Sequence, residues 1–135
     1  ATGSWDRTTR VWDLDTGALV HVLGGAESTS PNSAGHANAV TDVAFSPDGL
    51  RLATGSEDET VRWWALDTGE ELNAMEGHDK AVTAVDVGAD GVTLLSASED
   101  GTLKLWDAAA PGRPKSLLER ESKQWIRGVG VPQLE

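Results

Sequence analysis

Three stretches of this 135-residue chain are copies of one another. Thr54-Gly-Ser-Glu-Asp-Glu-Thr-Val-Arg-Trp-Trp64 aligns with Thr2-Gly-Ser-Trp-Asp-Arg-Thr-Thr-Arg-Val-Trp12 and with Ser96-Ala-Ser-Glu-Asp-Gly-Thr-Leu-Lys-Leu-Trp106. A chain that repeats at a fixed period folds as stacked units, each burying its apolar faces against its neighbours. Asp58 to Asp100 spans 42 positions and Asp6 to Asp58 spans 52, the excess falling in Ala26 to Ala34.

Each copy divides into short segments rich in β-branched and apolar residues, separated by turn formers and free of helical periodicity. The chain therefore reads as all-β. In the second copy, strands are expected near Ala39 to Phe45, Arg51 to Ser56, Thr60 to Ala65 and Glu71 to Met75. Ser46-Pro47-Asp48-Gly49 is a turn, with Pro fixing φ at its second position and Gly accepting positive φ at its fourth. Leu66-Asp-Thr-Gly69 and Leu14-Asp-Thr-Gly17 supply the next turn in two copies. Val40 to Phe45 does not alternate cleanly, which suits a sheet covered on both faces. Residues 25–34 are small, polar and turn-rich and read as a flexible surface excursion.

Twenty-two acidic against eleven basic residues give a formal charge of −11, which argues against nucleic acid and anionic membranes as partners and favours a basic protein surface. Five of the basic residues (Arg113, Lys115, Arg120, Lys123, Arg127) fall in the last 23 positions. No cysteine is present, so disulfides and thiolate chemistry are excluded. No hydrophobic run approaches membrane length, and a soluble, cytoplasmic protein is expected.

Gly35-His36 and Gly77-His78, the Ser-Pro-Asp-Gly turn, the Ser-Glu-Asp hairpins and the recurrent Trp, with Trp12-Asp13 and Trp106-Asp107, together resemble the WD-repeat β-propeller family. Its period is roughly 40 to 45 residues, and the resemblance covers nearly the whole chain. It implies blades of four antiparallel strands arranged as a three-blade partial ring. Residues 1–24 then form strands two to four of a first blade and 25–34 the insert. Residues 35–76 form a second blade, 77–121 a third, and 122–135 the first strand of a following blade, where Trp125-Ile-Arg-Gly-Val-Gly-Val131 aligns with Ala39 to Phe45.

The resemblance further implies a buried structural network of His, Asp, Ser or Thr, and Trp in each blade. In the second blade this is His36, Asp58, Trp64 and either Thr54 or Ser56. In the third it is His78, Asp100, Trp106 and either Ser96 or Ser98. The first copy offers Asp6 and Trp12, without a Gly-His of its own. Before Trp125 stand Glu121-Ser122 in place of Gly-His, and Trp64 is followed by Ala65 in place of Asp. Three blades do not close a ring, so the missing blades are expected from the same chain, as in a truncated longer propeller, or from further copies that accept its spare strand.

No catalytic constellation stands out. Two of the three histidines have network positions, and His21 reads as a solvated outer-strand residue. No metal site is expected, because no histidines stand at ligand spacing. Asp13-Leu-Asp-Thr-Gly17 resembles the opening of a calcium loop but lacks the later ligands, and a turn explains it better. Glu57-Asp58-Glu59 and Glu99-Asp100 resemble paired acid–base carboxylates, yet one member of each is assigned to the network. No phosphate-binding glycine loop is present, and no cofactor is expected.

Surface recognition remains. The family's binding face carries the hairpin between strands two and three and the approach to strand one. By position this nominates Trp5, Glu57 and Glu99, with Asp79, Lys123 and Trp125, as a partner-binding set for a peptide or protein segment. Trp125 could equally be core. The function implied is a non-enzymatic interaction scaffold. The alternatives are a regulatory part of a larger enzyme, such as a kinase or nucleoside triphosphatase, and a self-assembling architectural module.

Overall fold

Among the described residues the apolar and β-branched runs become ten strands separated by turns. The computed structural model describes residues 1–30 and 34–110. These strands are β1 (Thr2–Gly3), β2 (Thr9–Trp12), β3 (Leu19–Leu23), β4 (Val40–Phe45), β5 (Arg51–Ser56), β6 (Thr60–Ala65), β7 (Glu71–Glu76), β8 (Val82–Val87), β9 (Thr93–Ser98) and β10 (Leu103–Asp107). They form three antiparallel sheets in the orders β1-β2-β3, β4-β5-β6-β7 and β8-β9-β10. No helix occurs among the described residues.

Turn chemistry sets the strand ends. Gly49 has φ 72° and its N–H bonds the Ser46 carbonyl at 2.9 Å, while Asp48 accepts from the Ser46 hydroxyl at 2.6 Å. Gly17 and Gly69 close the two Asp-Thr-Gly turns at φ 71° and 75°, a conformation that only glycine adopts without strain. Asp13, the first residue of the calcium-like motif, accepts the Asp15 and Thr16 N–H groups, as a turn residue does.

The uneven pattern of β4 has a different cause from the one expected. β4 is only partly buried, and Phe45 is exposed. The pairing of β4 with β5 shifts between Val40 and Asp42, and that of β8 with β9 between Val82 and Ala84. This is a β-bulge, whose extra residue breaks the two-residue alternation. Val82 and Val85, three apart, therefore enter the same cluster. β5 is the strand buried on both sides.

Two clusters join the sheets face to face. Val11 and Leu23 of the first blade meet Leu52 and Trp64 of the second. Ala53, Val61, Trp63 and Met75 of the second meet Val82, Val85, Leu94 and Trp106 of the third. Polar bonds cross the same joints. The Val40 N–H reaches the Ser4 carbonyl at 3.0 Å, and the Val85 N–H reaches Asp42 Oδ2 at 3.0 Å.

The insert departs and returns at one point, for a Cβ on Gly35 would lie 2.3 Å from the Gly24 Cα. The Thr29 N–H bonds the Val22 carbonyl at 2.9 Å, and the Gly35 N–H donates to Glu71. His21 is not simply solvated. It is half-buried, with Nε2 2.8 Å from the Leu66 carbonyl of the next blade.

Candidate functional site

The hairpins β5–β6 and β9–β10 share one construction, completed in each case by a histidine that precedes the blade's first strand. In the second blade the indole Trp64 Nε1 donates to Thr54 Oγ1 at 2.9 Å. Thr54 Oγ1 lies 2.6 Å from His36 Nε2, and His36 Nδ1 lies 2.9 Å from Asp58 Oδ2. Indole nitrogen can only donate, so a neutral imidazole protonated on Nδ1 lets each hydroxyl and ring proton serve in turn, from Trp64 to Asp58. The third blade repeats the chain from Trp106 through Ser96 and His78 to Asp100, at 2.7, 2.7 and 3.0 Å. His78 also meets Trp106 edge-on, with centroids 5.9 Å apart.

Thr54 and Ser96 thus occupy the link between Trp and His. Ser56 and Ser98 do something else. Ser56 Oγ donates to the Asn38 carbonyl and accepts the Asp58 N–H, tying the hairpin to the approach of β4. Ser98 does the same with Lys80 and Asp100.

Asp58 and Asp100 have both oxygens engaged. Oδ1 of each accepts the N–H and the hydroxyl of the Thr two positions later, Thr60 or Thr102. Oδ2 accepts the ring N–H and a backbone N–H, from Ala37 or Asp79. Burial pushes the Asp58 carboxyl up, but the hydrogen bonds from His36, Thr60 and the Ala37 N–H outweigh it and hold the group well below the usual range. Burial likewise acts on Asp100, and Thr102, the Asp79 N–H and His78 overcome it. A carboxylate so occupied is poorly placed to exchange protons or to take a metal.

The first blade departs from this plan. Asp6 accepts from Thr8 twice and pairs with Arg10 at 3.1 Å, in place of a histidine. The Thr8 bonds, opposed by slight desolvation and aided by Ser4 and Arg10, hold its carboxyl low. Trp12 reaches Thr2 at 3.3 Å and stays 40% exposed.

At the hairpin tips stand the surface candidates. Trp5 is 87% exposed, and Glu57, Asp79 and Glu99 are exposed. Trp5, Glu57 and Glu99 hold the same position in the three hairpins, each immediately before the bonded Asp. The Glu57 and Glu99 N–H groups bond the Ala39 and Ala81 carbonyls at 3.0 Å, so each tip is anchored to the residue just before the first strand of its own blade, β4 or β8. Lys123 and Trp125 lie outside the described residues.

Thr8, Thr60 and Thr102 were missed from sequence, although Asp-x-Thr recurs in all three copies and is a readable signal. Thr41, which donates to the Val82 carbonyl, and Asp42, which accepts the Val85 N–H, carry no such signal, because their partners lie 41 and 43 residues away.

The family model described as "WD domain, G-beta repeat" matches residues 1–13, 29–65 and 69–107. Notchless protein homolog of Arabidopsis thaliana is 62% identical over 39 residues, 29% of this chain and 8% of that protein. Small ribosomal subunit protein RACK1y of Oryza sativa subsp. japonica is 36% identical over 74 residues, 55% of this chain and 19% of that protein. Apoptotic protease-activating factor 1 of Homo sapiens is 37% identical over 70 residues, 52% of this chain and 5% of that protein. The chain thus spans less than a fifth of the length of each of these relatives. Repeat sequence, blade geometry and a family match over more than half its length agree: the chain belongs to the WD-repeat family.

Proposed function

We propose that this chain is a non-enzymatic interaction scaffold that binds a basic peptide or protein segment on the acidic hairpin face. Membership of the WD-repeat family supports a protein-interaction role in general. The observation that carries the finer statement is Trp5, a large apolar ring 87% exposed on a tip made rigid by Ser4, Asp6 and Thr8, in the row that also holds Glu57 and Glu99. An exposed indole on such a tip can serve as an anchor, since aromatic side chains supply much of the energy at interface centres. Beside carboxylates, its face suits a Lys or Arg side chain. The fully bonded Asp58 and Asp100 support rigid display over chemistry.

The test is fluorescence anisotropy with a short Lys/Arg-rich peptide and a Glu-rich control. The basic peptide should bind, and Trp5→Ala should weaken it at least tenfold, about 1.4 kcal/mol. Equal binding of both peptides, or no effect of Trp5→Ala, would discard the proposed face.

A second reading, the regulatory part of a larger enzyme, has one observation in its favour. The match to apoptotic protease-activating factor 1 covers 5% of that protein, so repeats like these occur within a much longer chain. Sequencing the gene on both sides of this stretch separates the two.

A further inference from the structure

The insert that lengthens the first repeat interval runs along the outer edge of β3. The Thr29 N–H and hydroxyl both donate to the Val22 carbonyl, at 2.9 and 3.2 Å, so the insert supplies β3 with the backbone partner that an edge strand lacks. It also reaches both faces of the blade. His21 pairs with Val11, whose side chain packs against the second blade, and His21 Nδ1 lies 3.4 Å from Thr29 Oγ1. Arg10, one residue before Val11, points to the opposite face and holds Glu27 at 3.6 Å. β7 is the equivalent strand of the second blade, and no backbone bond of this kind reaches it among the described residues. A bulge falls at the same place in both strands, opposite Val11 and Trp12 in one and Trp63 and Trp64 in the other, so it does not account for the difference.

The two edges differ in what they would do if left open. β3 lies in Ala18-Leu-Val-His-Val-Leu23, a segment without Gly, Pro or a formal charge, of the kind that pairs readily with another copy of itself. Leu19-Val-His-Val-Leu23 also reads the same in both directions. Antiparallel pairing of two copies about His21 sets Leu19 against Leu23 and Val20 against Val22, which are matched apolar pairs. The same operation on Glu71-Leu-Asn-Ala-Met-Glu76 sets Glu71 against Glu76 at both ends, a repulsion that protects β7 without a cover. We propose that residues 27–30 are an internal cap, an autoinhibitory contact on an edge whose alternative occupant is β3 of a second copy. Leu19 and Val20, beyond the Thr29 bond, are 46% and 48% exposed, whereas Val22 and Leu23 beside it are buried, so displacing the cap opens the whole edge.

Deleting residues 25–34 tests this, because it restores the 42-residue spacing and joins Gly24 to Gly35, which already touch. In sedimentation or light scattering, the deletion variant should form dimers at least tenfold more tightly than the full chain. Adding Val20→Lys, a charge on the open edge, should return it to the behaviour of the full chain and should leave the full chain itself unchanged. Equal association of the full chain and the deletion variant would overturn the proposal, and so would association that Val20→Lys does not reverse, which would assign the contact to another face. If the deletion variant loses its near-ultraviolet circular dichroism, Thr29→Pro decides in its place, since it removes the N–H and the hydroxyl donated to Val22. Dimers at least threefold tighter than those of the full chain support the cap, and unchanged association sinks it. Hydrogen exchange on the intact chain gives an independent reading: the Thr29 amide should exchange at least tenfold more slowly than that of Glu27, and comparable rates would mean that the edge is not capped.

Discussion

Thr54 is the residue on which the second blade's polar chemistry turns, because its hydroxyl accepts from Trp64 and meets His36 in a site closed to water. Thr54→Val keeps the shape but strands two buried partners, at a cost of about 1 to 3 kcal/mol in urea unfolding. Thr54→Ser keeps the link, as Ser96 does in the third blade, and should lose less than about 1 kcal/mol with its methyl group. Equal losses would show that packing, not the hydroxyl, matters there. The two carboxylates beyond the histidines set an acid limit. Asp58 and Asp100 titrate lower folded than unfolded, so the unfolded chain takes up protons first. Their stabilisation is complete above the unfolded value of about 4 and is lost as pH falls through it toward the folded values. Asp58→Asn with Asp100→Asn should lower stability at neutral pH and flatten its decline between about pH 5 and 3, measured as urea midpoints.

At the scale of the element, the three hairpins need one residue in the left-handed region, and the copies supply it unequally. Arg7 and Glu59 have φ 73° and 72°, while Gly101 stands at the same position with φ 84°. A side chain there costs about 1 to 2 kcal/mol, partly offset by the entropy that glycine loses on folding. Glu59→Gly should therefore stabilise the chain by roughly 0.5 to 1 kcal/mol in thermal or urea unfolding. No gain would show that Glu59 makes compensating contacts. These hairpins, like the Ser-Pro-Asp-Gly turn, were legible in sequence because their determinants are local: the strands expected from Arg51 to Ser56 and from Thr60 to Ala65 begin and end there. The bulges in β4 and β8 were not, since a broken alternation reads equally as two-sided burial. His21 shows the same limit, for its partner Leu66 lies 45 residues away. The network residues were implied by the family resemblance; the choice between Thr54 and Ser56 was not, because both face the same way and only the position of the imidazole separates them.

Across the whole molecule, the repeated frame holds its tips at fixed positions while the formal charge of −11 gives the surface a field that favours cationic partners. Two inter-blade clusters and the bonds that cross them hold this frame together, so a partner on the proposed face would meet a preformed surface and little ordering would be required on binding. Attraction of a cationic peptide to Glu57 and Glu99 on the proposed face would be screened by salt, because both are exposed and the Debye length is about 8 Å at physiological ionic strength. Stacking on Trp5 would be far less sensitive. Raising sodium chloride from about 0.05 to 0.5 M should weaken the basic peptide at least tenfold. Glu57→Gln with Glu99→Gln should weaken it at low salt and shrink the salt dependence, whereas Trp5→Ala should lower affinity at every salt concentration and leave the slope unchanged. If the double glutamine variant keeps the full slope, the attraction arises from the overall charge and these two carboxylates have no part in it. If salt has no effect while Trp5→Ala still abolishes binding, the contact is apolar and the partner is not chosen by its charge.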